Sequence, residues 1–193
     1  MDSCFPLLIV GLGNPGKEYE QTRHNIGALV AYFFAESNHI TFKQVKKLDG
    51  FVGSGVVEGI KVIVLLPTTY MNLSGTAVKK CMEYYNIPLT NLLVLSDDTY
   101  LAFGSIKSKI ASSSGGHNGL KDIENTLGSK DYLRFRIGIG EKTTEDLAEY
   151  VLQKFTKDEL LKLDEIIEKC IVEIKTTILT RQKDKQNEDL RRN

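Results

Sequence analysis

The chain lacks net charge: its 193 residues hold 25 Lys and Arg against 25 Asp and Glu. This excludes a uniformly basic coat for nucleic acid but leaves room for a local cationic face, because steering follows the distribution of charge as well as its sum. Only three cysteines are present, Cys4, Cys81 and Cys170, with no Cys-x-x-Cys spacing. An odd, scattered set argues against a disulfide framework and reads as reduced, mostly buried thiols in a cytoplasmic protein. No apolar run approaches the roughly 20 residues that span a bilayer, and no cationic segment leads into an apolar signal core, so the expectation is a soluble chain not exported by that route. The Gly-x-Ser-x-Gly elbow of serine hydrolases is missing, and His24, His39 and His117 have no paired metal-ligand spacing. Asn72-Leu73-Ser74 fits the glycosylation pattern and reads as accidental in a cytosolic chain.

What the sequence has is one organising stretch, Val-Gly-Leu-Gly-Asn-Pro-Gly-Lys-Glu-Tyr-Glu-Gln-Thr-Arg-His-Asn-Ile-Gly, over residues 10–27. An apolar run, Leu7-Leu8-Ile9-Val10, precedes it, and helical spacing of Ile26, Leu29, Val30, Phe33 and Phe34 follows it. The stretch is therefore a strand-to-helix turn of the kind at which open α/β sheets place ligands. Thr22 or Asn25 is the expected cap of the helix over 26–38, which puts His24 at its start.

Strands are expected over 41–45, 51–57 and 61–66, the last two joined by a hairpin at Glu58-Gly59-Ile60, and a helix over 72–85. Leu92-Leu93-Val94-Leu95 reads as a second central strand, ending at Ser96-Asp97-Asp98. Lys107 and Lys109 alternate with apolar residues, a small-residue loop covers 112–119, a helix 120–127 and a strand 133–140. Residues 144–182 carry a helical period. The length fits one domain over 1–180, and the polar tail 181–193 is expected to fray.

Three chemistries compete for the first turn. Gly11-Leu12-Gly13-Asn14-Pro15-Gly16 satisfies the dinucleotide pattern, yet Pro15 and the polar residues after it delay the helix beyond the glycines, where its amides would meet a pyrophosphate. Gly11 to Lys17 fits half of a phosphate-binding loop, but Glu18 stands where a hydroxyl should ligate magnesium and would repel phosphate oxygens. The third reading uses the polar side chains: His24 as a base near neutral pH, Asp97 as a carboxylate that fixes its tautomer, and Asn14, Asn72 and Asn118 as amides able to hold a carbonyl or oxyanion. Taken singly, each residue also reads as an ordinary turn or strand-end residue satisfying backbone groups.

Five ordered blocks between residues 7 and 140 resemble the bacterial-type peptidyl-tRNA hydrolases: Val-Gly-Leu-Gly-Asn-Pro-Gly with Tyr19, Thr-Arg-His-Asn-Ile-Gly, Pro-Thr-Thr-Tyr-Met-Asn-Leu-Ser-Gly, Gly-Gly-His-Asn-Gly-Leu-Lys-Asp and Arg-Phe-Arg-Ile-Gly-Ile-Gly. The resemblance implies a single α/β domain, a mixed twisted sheet flanked by helices, acting as a cytoplasmic monomer on peptidyl-tRNA without metal, cofactor or membrane. It implies His24 as the base that activates water, Asp97 as its supporting carboxylate, and Asn14 as the residue that contacts the peptide and rejects unblocked aminoacyl-tRNA. Asn72, Asn118, Tyr19 and Tyr70 fall on substrate-contact positions, and Lys109 with Arg136 on the pair that clamps the tRNA 5′-phosphate. Lys107, Lys121 and Arg134 extend the basic face or are simply solvated. The chain departs from the family at Ser96, at 98–104 and in the serine-rich loop 111–114. A non-catalytic RNA-binding relative, similar to a plastid intron-splicing factor, is the alternative.

Overall fold

The computed structural model describes residues 5–140 and 146–192, with side chains described through Thr180. The apolar run after Pro6 forms β1 (Leu7–Gly11), followed by a 3-10 turn at Arg23–Asn25 and α1 (Ile26–Ser37). Then come β2 (Phe42–Val45), β3 (Gly50–Val57), β4 (Ile60–Pro67), α2 (Ser74–Tyr85), β5 (Leu92–Asp98) and β6 (Ile106–Ile110). The chain ends with α3 (Asn118–Leu127), β7 (Leu133–Gly138), α4 (Leu147–Leu152) and α5 (Lys157–Arg192).

The strands build one seven-stranded mixed sheet in the order β2-β3-β4-β1-β5-β7-β6. β4, β1, β5 and β7 run parallel, while β3 pairs antiparallel with β2 and β4, and β6 with β7. β1 and β5 are buried along their whole length, which is why their sequences are apolar without alternation. Alternation resumes in three dimensions: Leu7, Ile9, Leu93 and Leu95 pack with Val30 and Phe34 of α1 and Ile167 and Ile174 of α5. Leu8, Val10, Leu92 and Val94 pack with Val78 and Cys81 of α2 and Leu120 and Ile123 of α3. The result is three layers, helix on sheet on helix. From β1 the chain crosses to β2-β3-β4 on one side and later to β5 on the other, so the carboxyl ends of β1 and β5 flank a topological switch point.

The expected hairpin is present: β3 and β4 pair residue for residue from Val57↔Ile60 onward, and Glu58 and Gly59 take positive φ of 50° and 74°. The Lys107/Lys109 alternation is the edge strand β6. Helix α3 starts at Asn118, two residues before the apolar pattern suggested, and the 144–182 period divides into α4 and α5. The first two residues of that period lie outside the described residues, as does Cys4. The backbone of α5 continues to Arg192, through most of the segment 181–193 read as a polar tail. Cys81 and Cys170 are free and buried, and burial pushes both thiols up to about 12.

The cap of α1 differs from expectation. Asn25 occupies the N-cap position but makes no capping bond; its Oδ1 accepts from Asn14 N at 2.9 Å and its Nδ2 donates to Asn14 O at 2.9 Å. Thr22 Oγ1 instead donates to Tyr19 O at 2.8 Å. Both side chains bind backbone groups of the turn rather than the helix end. The start of α1 is pressed against the sheet: Ala28 N donates to Leu12 O at 2.9 Å and Leu12 N to Leu95 O at 3.1 Å. This approach requires Gly27, where a Cβ would overlap the Leu95 carbonyl oxygen and lie 3.1 Å from Leu12 N. Gly27→Ala is accordingly expected to destabilise the fold by about 3 kcal/mol or more, since backbone rather than a flexible side chain would have to yield; a urea midpoint equal to wild type would show that α1 can lift from β5 at no cost.

Candidate active site

The site grows from the end of β5. Strand pleating turns Asp97 to the same face as Leu93 and Leu95, the α1 face, where the 3-10 turn brings His24 down onto it. His24 Nδ1 lies 2.8 Å from Asp97 Oδ1, and His117 Nε2, from the loop before α3, lies 2.9 Å from the same oxygen. The two imidazoles sit 4.7 Å apart, tilted at 44°. Asp97 is only 4% exposed. Its burial opposes ionisation, but the charges and hydrogen bonds of His24 and His117 outweigh that and hold the carboxyl well below the usual carboxylate range.

The hydrogen bonds assign the protons. An ionised carboxylate can only accept, so His24 Nδ1 carries hydrogen, and in the neutral imidazole the lone pair is on Nε2. His117 is committed at both ends: its Nδ1 accepts from Gly119 N at 3.1 Å and Leu120 N at 3.3 Å, capping α3, so Nε2 is the protonated nitrogen and donates to Asp97. His24 is therefore the imidazole of this pair with a nitrogen left to take a proton. The ligand atoms of His24, Asp97 and His117 lie within 4.8 Å of one another, a spacing that a metal ion could bridge. His117 Nε2 does not fit that use, because freeing its lone pair would move the hydrogen to Nδ1, against the two amides it caps.

A cleft of about 310 Å³ opens on this centre, lined by His24, Asp97, His117, Asn118, Arg136 and Asp98, with the small loop Ser114-Gly115-Gly116 on one side. Leu147, Ala148 and Val151 of α4 form another wall. That wall is fastened to the residues around His24: Arg23 N donates to Gln153 O and Phe155 N to Gln21 O, at 3.0 and 3.1 Å. The buried Arg23 guanidinium donates from Nη1 to Lys154 O at 3.0 Å and from Nη2 to Glu159 Oε2 at 2.8 Å, and it lies 4.6 Å from the centre of the Tyr150 ring. Tyr150 in turn donates its hydroxyl to Ile139 O at 2.9 Å.

Of the residues singled out from sequence, His24, Asp97, Asn118 and Arg136 line this one cleft. Asn14 is not in its lining; bonded to Asn25, it accepts at Oδ1 from Met71 N at 2.8 Å and so ties the first turn to the start of the β4–α2 segment. Tyr70, Asn72 and Asn118 are exposed, and Tyr19 is half-buried in the turn. Arg136 Nε lies 2.9 Å from Asp98 Oδ2. Lys109 is exposed on β6, and the register Lys107↔Arg136 and Lys109↔Arg134 sets all four cations on one face. Arg134 does not extend the basic surface: it is fully buried, donates to Glu124 Oε1 at 2.8 Å and Lys130 O at 3.3 Å, and packs on Tyr132. Lys107 and Lys121 remain exposed. The sequence reading passed over His117 as a partner of Asp97. The available signal was a His directly before a helix start, a cap position whose second ring nitrogen must find a partner elsewhere. The α4 wall carried no signal at all.

With this geometry in place, comparison with known proteins is specific. The family model described as peptidyl-tRNA hydrolase matches residues 8–192. A peptidyl-tRNA hydrolase of Clostridium tetani is 45% identical over 172 residues, covering 89% of this chain and 90% of that one. One of Bacillus subtilis is 42% identical over 166 residues, 86% and 88% of the two chains. A crystal structure of peptidyl-tRNA hydrolase from Acinetobacter baumannii superposes with a TM-score of 0.87 at 36% identity, covering 97% of this chain and 95% of that one. Family match, identity over most of the length and shared fold agree: the chain belongs to the peptidyl-tRNA hydrolase family.

Proposed function

We propose that the chain hydrolyses the ester between a peptide, or an N-blocked amino acid, and the 3′-terminal ribose of tRNA, as His24 and Asp97 are arranged to do. The observation that carries this reading is the pair of imidazoles on one carboxylate oxygen, which leaves His24 alone with a free ring nitrogen in the cleft. Water held near Asn118 gives a proton to His24 Nε2 and attacks the ester carbonyl; Asp97 stabilises the imidazolium that forms. Amide donors, with the Asn14 side-chain NH2 among them, steady the oxyanion and the peptide carbonyls. Collapse expels the ribose 3′-oxygen, which takes the proton back from His24, giving free tRNA and a peptide carboxylic acid that releases its proton to solvent. Asn72, Tyr70 and Tyr19 contact the substrate at the rim.

Lys109 and Arg136 take the 5′-phosphate, with Asp98 fixing the guanidinium plane of Arg136. The unit acts as a monomeric domain over 1–180 in the cytoplasm. Two free, buried thiols accord with that location, and among the described residues no helix is long and apolar enough to cross a membrane.

The direct test is release of N-acetyl amino acid from N-acetylaminoacyl-tRNA without added metal or nucleotide, beside the unblocked ester. Cleavage of the blocked form, abolished in His24→Ala, is the expected result. Binding of tRNA without cleavage would instead favour an RNA-binding role.

Three further outcomes follow from the assigned roles. Asp97→Asn removes the negative charge that stabilises the imidazolium, so kcat should fall about 10²-fold or more with KM within a few-fold; an unchanged kcat removes Asp97 from the chemistry. His117→Asn should retain the α3 cap but lose a donor to buried Asp97, and His117→Ala should lose both, so both should be less stable than wild type and the Ala variant by about 1 kcal/mol more. Both should lower kcat if the imidazole's bond to Asp97 matters, so normal turnover in His117→Asn would reduce His117 to a cap. Lys109→Ala should weaken tRNA binding and reduce the slope of log affinity against log salt by about 0.7–0.9; a wild-type slope would place Lys109 off the phosphates.

A further inference from the structure

Asp122 has no part in the chemistry proposed above, although it closes the block Gly-Gly-His-Asn-Gly-Leu-Lys-Asp that also carries His117 and Asn118. It stands half-buried on the second turn of α3, and its Oδ2 accepts from Gly75 N in the first turn of α2 at 2.7 Å. That amide needs an acceptor from elsewhere. The residue at the α2 N-cap position is Leu73, which has no side-chain oxygen, and the first turn of α2 holds no acidic residue. A carboxylate from the neighbouring helix supplies both the acceptor and the negative charge that a helix start favours. Gly75 makes the approach possible: a Cβ there would lie 2.6 Å from Asp122 O and 2.5 Å from Thr126 Oγ1, so no side chain stands between the two helices to take up a shift.

The segments that this bond joins are those that meet the substrate. The 3-10 turn Met71–Leu73 leads directly into α2 and carries Asn72, and α3 opens with Asn118, directly after His117. Both asparagines are exposed, and the proposed reaction uses Asn72 on the substrate and Asn118 on the attacking water. The turn is held at its other end by Asn14 Oδ1 on Met71 N, and within by Ser74 Oγ, which donates to Met71 O at 2.8 Å. The start of α3 is held by His117, which caps Gly119 N and Leu120 N and donates to Asp97.

Side-chain bonds therefore close a ring around the site. It runs from Asp97 to His117, from α3 to α2 through Asp122, from Met71 to Asn14, from Asn14 to Asn25, and back through the adjacent His24 to Asp97. Asp122 is not in the lining of the cleft, so it acts on the reaction only through what it holds.

Resting on the function proposed above, we infer that Asp122 is a positioning residue: by tying α3 to the first turn of α2 it fixes the gap between Asn72 and Asn118 and, through α3, the seat of His117 on Asp97. Ester and attacking water are held by amides from two different helix starts. A slack tie lets carbonyl and water drift apart, while the phosphate contacts on β6 and β7 stay as they are.

The test removes the tie and then restores it. Asp122→Ala deletes the acceptor and Asp122→Ser leaves it one bond short of Gly75 N, whereas Asp122→Asn keeps a carbonyl oxygen in place. Ile174→Val, buried on α5 in the opposite layer, is the control for stability alone. Per folded enzyme, kcat on N-acetylaminoacyl-tRNA should fall about tenfold in the Ala and Ser variants, the order of loss that a small misplacement of reacting groups brings. KM and the affinity for deacylated tRNA should stay within about twofold, and the Asn variant should recover kcat to within about threefold of wild type. If the Ala variant does not fold, the Ser variant carries the same expectation. The imidazole N–H proton resonance of His117 should shift in the Ala and Ser variants and return in the Asn variant, which a role in folding alone does not produce. Failure of wild type to cleave the ester would overturn the function and this role with it. Cleavage by wild type with kcat unchanged in the Ala and Ser variants would overturn the positioning role alone. So would a loss of kcat that Ile174→Val shares, one that Asp122→Asn does not relieve, one with the His117 resonance unmoved, or one matched by weaker binding of deacylated tRNA.

Discussion

Everything at the site depends on one buried carboxylate oxygen, Asp97 Oδ1, and the two imidazole N–H groups that meet it. A carboxylate taken out of water costs several kcal/mol unless donors replace its hydration. Here the donors arrive from opposite layers of the molecule: His24 from the turn before α1 and His117 from the loop before α3. Ionisation of Asp97 then dictates which nitrogen of His24 is protonated. Capping of α3 dictates the same for His117, so a helix start far along the chain decides that His117 has no ring nitrogen to spare.

Holding those donors in place is the task of the surrounding backbone. Gly27 lets α1 rest on β5, which fixes the height of His24 above Asp97. Arg23, the residue before it, binds Lys154 and Glu159, so the same turn that presents His24 also anchors the α4 wall of the cleft. Asn25, the residue after it, locks Asn14. Three consecutive residues therefore serve as wall anchor, Asp97 partner and turn lock, an economy possible because a 3-10 turn points successive side chains in three directions.

Much of this was legible in the residues. The unbroken apolar runs of β1 and β5 read as central strands because strands buried on both faces cannot alternate. Glu58-Gly59-Ile60 between two strand-like runs marked the hairpin, where Glu58 and Gly59 take positive φ, and ordered polar blocks at the strand ends marked the site. Less was legible where a side chain had two possible uses. Asn25 and Thr22 carry capping chemistry, yet they bind the turn, since proximity to Asn14 and Tyr19 is decided by how the turn folds back. Arg134 and Arg136 alternate identically in sequence. One is sealed by Glu124 and Tyr132 beneath α3, and the other faces the cleft beside Asp98.

The sequence by itself determined the layered α/β class, the seven-strand content apart from β6, and the set of residue types available for ester hydrolysis, because periodicity and side-chain chemistry are local properties. Only the tertiary structure decided which residues share one oxygen, which histidine keeps a free nitrogen, which arginine is buried, and that α4 closes the cleft. Those outcomes depend on contacts between segments from 10 to more than 130 positions apart, such as Arg134 with Glu124, Asp97 with His117 and Arg23 with Glu159, and no local pattern encodes a distance between such segments.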